Sequence, residues 1–272
     1  MTSSEQANLR DRTIADFGDQ WTNFTGNEGW YGSTEFFRNI LGPLVSEEDI
    51  RGTNVADIGS GTGRIVNMLF SMGAAHVTAI EPSAAFEVLQ RNVAHHGDKV
   101  TCLQLRGDEI PPMDFDHIVS MGVLIIIPEP MPVVEAAFRA LKPGGRLTVW
   151  LYGREGVELY LAIFEPIMKI TRKLPHSILS ALCWMLTVPL SAYIGMSRLI
   201  PLPMHEYMVR VLGPLTWDKR HLVIYDQLNP SYVKYYTRQE AHDLIANAGF
   251  ENVQLYHRHG YSYTVSASKP LK

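Results

Sequence analysis

The sequence predicts an α/β fold built on a doubly wound, mostly parallel sheet, and three observations predict it. Between Thr53 and about Ser120, short β-rich runs alternate with helical stretches, the rhythm of a parallel sheet covered by helices on both faces. The strand runs are almost continuously apolar, as burial on both sides requires. The chain closes on ENVQLYHRHGYSYTVSAS, which reads as two antiparallel strands joined by a tight turn at His259 and Gly260.

Each element has a local reason. TNVADIG reads as a strand ending at a glycine turn, and GRIVNMLFSMG as a helix with apolar positions at Ile65, Met68, Leu69 and Met72, closed by Gly73. HVTAIE is the next strand. PSAAFEVLQRNVAHHG is the next helix, with Ser83 as N-cap and Gly97 as stop. KVTCLQLRGD and FDHIVSMG are the third and fourth strands, PVVEAAFRAL a helix, and LKPGGRLTVWLY a turn leading into a fifth strand. Further on, TRQEAHDLIANAGF carries a capping box, Thr237 with Glu240, and stops at Gly249.

Composition bounds the function. The 272 residues are 46% hydrophobic and 19% charged, which fits one large domain, or one with a sizeable insert, and excludes disorder and collagen-like structure. Two cysteines, Cys102 and Cys183, are too few for a disulfide scaffold and suit a reducing compartment. The net charge of −4 leaves no basic footprint for nucleic acid. MTSSEQANLRDR has neither the basic nor the apolar part of a secretory signal, so a cytoplasmic address is expected.

After Tyr152 the rhythm breaks. Residues 153 to about 222 hold no clear strand, and 24 residues between Lys173 and Arg198 contain no Asp, Glu, Lys or Arg. That run is long enough to span a bilayer. Pro189 interrupts it, however, and a crossing there would place halves of one sheet on opposite sides of the membrane. Two readings remain. The run is a helical lid making a closed pocket or a homodimer contact. Alternatively, residues 174–197 meet a lipid interface, with Lys169, Arg172, Lys173 and Arg198 as headgroup contacts. Met168, Met185, Met196, Met204 and Met208 would suit an apolar acceptor. The chain thus divides into an N-terminal helical flap (1–52), an α/β core (53–152), a helical insert (153–224) and a C-terminal completion of the sheet (225–272).

The informative segment is Val55-Ala-Asp57-Ile-Gly59-Ser60-Gly61-Thr62-Gly63, between the first strand and the first helix of the core. Alternate glycines let the backbone approach a ligand at the positive end of a helix. Glu81 follows Gly61 by twenty residues, at the end of the second strand, placed to accept hydrogen bonds from ribose hydroxyls. The spacing is neither GxGxxG nor a P-loop. Asp57, two residues before the first glycine, would repel a pyrophosphate and welcome a cation. These features point to a cationic, adenosine-like ligand.

ADIGSGTGR, AIEPS, RGDEIP, FDHIVSMGVL and LKPGGRLTVW, in that order, resemble the class I S-adenosylmethionine-dependent methyltransferases of small-molecule type. The resemblance runs from about Val55 to Leu151. It implies a seven-stranded Rossmann-like sheet with a reversed last strand, and S-adenosyl-L-methionine as cofactor. It also implies that Asp57 and the backbone of Gly59, Ser60, Gly61, Thr62 and Gly63 hold the methionine part, that Glu81 meets the ribose, and that Pro82 is a further cofactor-binding residue. Asp108, before Glu109, would meet the adenine amino group, and Ser120, Met121 and Gly122 would line the cofactor. By the same analogy Trp21, Phe24, Trp30 and Tyr31 are candidates for an aromatic flap over the sulfonium.

The sequence departs from its relatives after the fourth strand. Many small-molecule members read GVLHHIPDP there, whereas this chain has Ile125 and Ile126 in place of the histidines. A proton acceptor must then come from elsewhere, and Asp226, His221 and His205 are the candidates. His257 and His259 are turn residues, and no metal site is expected. The expected activity is methyl transfer to a small, largely apolar metabolite. The alternatives are a cyclisation or rearrangement using the sulfonium electrostatically, methylation of a lipid at a membrane surface, and a scaffold with a vestigial pocket.

Overall fold

The computed structural model describes residues 3–171, 173–229 and 231–272. Seven strands form one sheet in the order β3-β2-β1-β4-β5-β7-β6. They are β1 Asn54–Ile58, β2 His76–Ile80, β3 Val100–Leu103, β4 Phe115–Met121, β5 Leu141–Tyr152, β6 Glu251–Arg258 and β7 Ser262–Ser268. The first five pair in parallel, while β7 runs antiparallel to both β5 and β6. The reversed strand is therefore β7, as expected. The chain leaves β1 toward β2 on one side and reaches β4 on the other, so a ligand crevice opens at the carboxyl ends of β1 and β4.

Helices cover both faces. Against one pack α2 (Thr34–Leu41), α3 (Arg64–Ser71) and α4 (Phe86–Val93), with Phe37, Leu41, Met68, Leu69 and Leu89 fully buried. Against the other pack α5 (Met131–Ala140) and α9 (Arg238–Ala246), around Ala137, Ala140 and Ile245. The capping box at α9 is formed: Thr237 accepts from the Glu240 N–H and Glu240 from the Thr237 N–H. Gly73 follows α3 with φ 91°, and His259 and Gly260 both take positive φ at the hairpin turn. LKPGG also behaves as read, since Leu141 pairs with Phe115 but Arg146 with His117, so the intervening residues loop out of the ladder.

Several boundaries differ from expectation. The third strand stops at Leu103, and Gly107–Glu109 is a 3₁₀ turn in which Arg106 and Glu109 cap each other. Ser83 accepts from the Ala85 N–H (3.1 Å) and shapes the turn ahead of α4, which begins only at Phe86. Pro189 does not break its helix: α7 runs His176–Ser197. The carbonyl that this proline leaves without its N–H partner belongs to Met185, on an exposed stretch of the helix.

The remaining helices are α1 (Ser3–Asn23), α6 (Glu158–Thr171), α7, and α8 (Trp217–Leu228), with a π-helical turn at Tyr207–Leu212. Helix α8 packs on α6 and α7 through Met168, Leu179, Cys183, Tyr225 and Leu228. Burial pushes the Cys183 thiol up to about 12, so it behaves as a small apolar side chain. Gly63 caps α3 with φ 81°, and a Cβ there would stand 2.6 Å from Val93 Cγ1. We predict that Gly63→Ala destabilises the fold by roughly 1–2 kcal/mol from backbone strain alone, read as a lower urea midpoint. An unchanged midpoint would contradict the packing of α4 on this loop.

Candidate active site

A cavity of about 360 Å³ lies at the carboxyl ends of β1, β2 and β4. Of the residues singled out in the sequence, Gly59, Ser60, Gly61 and Thr62 line it, as do Glu81, Pro82 and Asp108. Met121, Gly122, Trp21, Tyr31 and Asp226 line it as well. Ile125 and Ile126 form part of its apolar wall.

Four N–H groups of the glycine loop are engaged within the protein. The N–H groups of Gly59 and Ser60 donate to the Ile80 carbonyl (2.8 and 2.9 Å), that of Gly63 to the Ser60 carbonyl, and that of Gly61 to Glu81 Oε2 (2.8 Å). Glu81 Oε1 also accepts from the Ser83 N–H at 2.9 Å, so this carboxylate ties the loop to the turn after β2. Each of its oxygens keeps a second lone pair for a hydroxyl donor. Gly59 has φ 76°, and a Cβ there would lie 2.3 Å from Val123 Cγ2. Only glycine lets the loop close on the residue after Gly122.

Beneath the loop Asp57 is 1% exposed, and neither carboxylate oxygen has a hydrogen-bond donor. The Ser60 hydroxyl donates to the Asp57 main-chain carbonyl (2.9 Å). Burial pushes the Asp57 carboxyl up to about 7, against the opposing pull of Ser60 and Arg64. Asp57 does not itself line the cavity. A cation above the loop feels it through the loop or through a bridging water.

Other residues fall outside the cavity. Ser120 is buried in β4 with its hydroxyl on the Ile58 carbonyl (3.3 Å), and Gly63 serves helix packing. Phe24 and Trp30 do not line the cavity: Phe24 packs in the cluster of α6, α7 and α8, and Trp30 packs both in the core cluster and in that around Ile194. His221 is 2% exposed, contacts Ser180 at 3.1 and 3.3 Å and stacks on Trp184. It joins α8 to α7. His205 also lies off the cavity wall, its Nδ1 buried without a partner. Asp226 is the one candidate proton acceptor of the three that faces the cavity.

Asp226 is held by groups the sequence reading missed. Gln20 of α1 donates to its Oδ1 (2.9 Å) and the Tyr152 hydroxyl to its Oδ2 (3.3 Å). Gln227 donates to the Tyr152 oxygen (2.7 Å) and accepts from Tyr160 (3.1 Å) and Tyr235 (3.0 Å). Burial raises the Asp226 carboxyl above the usual range, with Gln20, Tyr152 and Arg64 acting against it. Asp108 is pulled the other way. Burial would raise it, but bonds from Arg106 (3.0 and 3.2 Å) outweigh burial and hold it low. Asn27 exchanges hydrogen bonds with Thr62 (2.6 and 2.9 Å), clamping the N-terminal segment onto the glycine loop. Arg64 donates to the Tyr31 carbonyl and stands 4.0 Å from the Tyr31 ring centroid.

Residues 56–149 match the family described as "Methyltransferase domain". This segment is a class I S-adenosylmethionine-dependent methyltransferase domain. Among curated relatives, a ubiquinone biosynthesis O-methyltransferase of Xylella fastidiosa (strain 9a5c) is 32% identical over 135 residues, covering 47% of this chain and 54% of that protein. A tRNA U34 carboxymethyltransferase of Hahella chejuensis is 32% identical over 134 residues, covering 47% and 40%. The chain thus spans about half the length of the curated relatives it matches. Among solved structures, magnesium protoporphyrin IX methyltransferase from Synechocystis PCC 6803 with bound SAH shares the fold at TM-score 0.57 and 14% identity, covering 97% of this chain and 99% of that one.

The cofactor of the domain is S-adenosylmethionine, and the residues present fit it. An orphaned carboxylate at Asp57 suits a cationic ligand and disfavours a phosphate, and Glu81 has lone pairs left for ribose hydroxyls. Because an ammonium favours ionised Asp57, binding of S-adenosylhomocysteine should tighten as pH rises through about 7, by roughly threefold to tenfold between about pH 6 and 8. Asp57→Asn should flatten that dependence in calorimetry. A flat wild-type profile would remove Asp57 from the binding site.

Proposed function

We propose that this methyltransferase domain methylates a small, largely apolar acceptor through a hydroxyl or similarly protonated atom, and that Asp226 is the proton acceptor. The observation that carries this reading is the single cavity in which the glycine loop and Asp226 face the same space. Bound S-adenosylmethionine supplies a methyl group on a cationic sulfur. The chain supplies position, a dry site and a place for the proton. Gln20 and Tyr152 fix the orientation of the Asp226 carboxylate. Burial raises its basicity, which favours taking a proton from an acceptor hydroxyl. Ile125 and Ile126 leave the β4 side apolar, so the polar group that relatives are expected to carry there comes instead from α8. This placement favours methyl transfer over the rearrangement alternative.

The acceptor's route is proposed from the insert. None of the residues of α6 or α7 lines the cavity, and the methionine wall expected there is absent: Met185 and Met196 face outward, 67% and 49% exposed. The segment Ser177–Ser197 is long and apolar enough to cross a membrane, yet only 22% of its most apolar window is buried. A crossing would separate the paired residues Val149 and Val265 of β5 and β7, whose strands lie on either side of it in the chain. Lying flat on a bilayer satisfies both facts. Ile163, Ile170, Ile178, Trp184, Val188 and Leu199 are exposed on α6, α7 and the turn after them, with Lys169, Lys173 and Arg198 exposed among them. Between Pro166 and His205 there is no acidic residue. A two-fold dimer through this face would oppose like charges, whereas anionic lipid complements them.

Two measurements test these readings. Purified protein given methyl-labelled S-adenosylmethionine and a cell extract should place label in an organic-soluble product. Asp226→Asn should cut that rate about 100-fold or more and leave S-adenosylhomocysteine affinity within about twofold. Label found only in RNA, or an undiminished rate in the variant, would contradict the proposal. For the membrane reading, the wild type should sediment with vesicles containing anionic lipid. The double variant Trp184→Glu and Val188→Glu should remain in the supernatant, and equal sedimentation of the two would reject the face.

A further inference from the structure

Arg258, the last residue of β6, is 1% exposed and lines the cavity. Its Nε donates to the Asn39 carbonyl (3.2 Å) and Asn39 Oδ1 (2.8 Å), and its Nη1 donates to the Tyr261 hydroxyl. Its Nη2 is buried and meets no acceptor. Among the described residues no carboxylate lies within ion-pair distance of it. The ionisable groups that act on it most are the phenols of Tyr261, Tyr207 and Tyr256, together with a second cation, Arg64. The Phe36 and Tyr261 rings lie 5.4 and 5.5 Å from its guanidinium carbon.

A second donor on the same cavity wall is equally unmatched. Trp150 lines the cavity, and its Nε1 is buried without an acceptor. Its ring contacts both Tyr261 and Tyr152, with centroids 6.3 and 5.1 Å away. Trp150 therefore touches both the tyrosine bonded to Arg258 and the tyrosine bonded to Asp226. A buried guanidinium with no counter-charge is costly unless an anion arrives, and two unmatched buried donors in one wall call for a ligand with acceptor atoms.

We infer that Arg258, with Trp150, recognises a carboxylate on the acceptor, so that the substrate is an apolar acid presenting its methyl-accepting atom to Asp226. The planar fork of a guanidinium matches the two oxygens of a carboxylate. One free N–H edge and one indole N–H in an aromatic setting suit a single negative charge better than a phosphate dianion. The inference rests on the reading that this cavity takes the acceptor. Its test uses binding alone, so that its failure is separable from a failure of methyl transfer.

Calorimetry on protein saturated with S-adenosylhomocysteine would compare matched acids and primary amides: benzoate and benzamide, cinnamate and cinnamamide, decanoate and decanamide. In at least one pair the acid should bind about tenfold tighter than its amide. Arg258→Met should bring that acid down to the amide's affinity and leave the amide unchanged. Arg258→Lys should keep part of the preference, and Trp150→Phe should lower it a few-fold, so the test survives if the methionine variant fails to fold. No acid preference in any pair, or a preference unaltered in the lysine and tryptophan variants, would overturn the inference. Weakened S-adenosylhomocysteine binding in Arg258→Lys would also overturn it, by assigning the guanidinium to the cofactor's own carboxylate.

Discussion

Two buried carboxylates govern the site, and the glycine loop stands between them. Glu81 ties Gly61 to Ser83 and so fixes the loop to the second strand end. Asp57 lies behind the loop with nothing donating to it. Glu81 takes the Gly61 N–H and Asp57 adds an unpartnered carboxylate behind the loop, so negative charge opposes the positive character that a glycine loop at a helix start otherwise has. What remains is a loop flanked by two carboxylates, beside a cavity walled in part by Ile125 and Ile126. That constraint selects a nucleoside carrying a positive charge, and the sheet order places it where β1 and β4 diverge.

The acceptor side is assembled from distant parts of the chain. Gln20 and Asp226 are 206 residues apart in sequence yet bonded at 2.9 Å. Tyr152 leaves the end of β5 and Gln227 comes from α8, while Tyr207 and Val211 project from a π-helical turn, a distortion that often marks functional positions. The N-terminal helix thus closes the chamber while α8 furnishes its polar groups. The apolar helices α6 and α7 support α8 from behind and turn their greasier surfaces outward. The polar groups of the chamber and the exposed apolar surface thus lie on different helices.

Local signals were legible because their physics is local. The glycine spacing, the Thr237–Glu240 box, the turn at His259–Gly260 and the alternation of strands and helices each depend on a few neighbouring residues. Asp226 could be nominated as a carboxylate returning toward the pocket, but His221 was an equal choice, and only tertiary packing separates an α8 residue facing the chamber from one facing Trp184. Arg258 reads in sequence as an ordinary strand-end arginine. Its burial follows from α2 bringing Asn39 and Phe36 over the hairpin. Helix α7 misleads in the opposite sense, because a run without charge looks like core or lid, while most of it is exposed.

The most direct test is a crystal structure with S-adenosylhomocysteine. Its ribose hydroxyls should bond Glu81, and its amino group should lie over the glycine loop above Asp57, linked to it through one water. The sulfur should face the space in front of Asp226. A nucleoside lying elsewhere, or a phosphate-bearing ligand preferred over the glycine loop, would contradict the account.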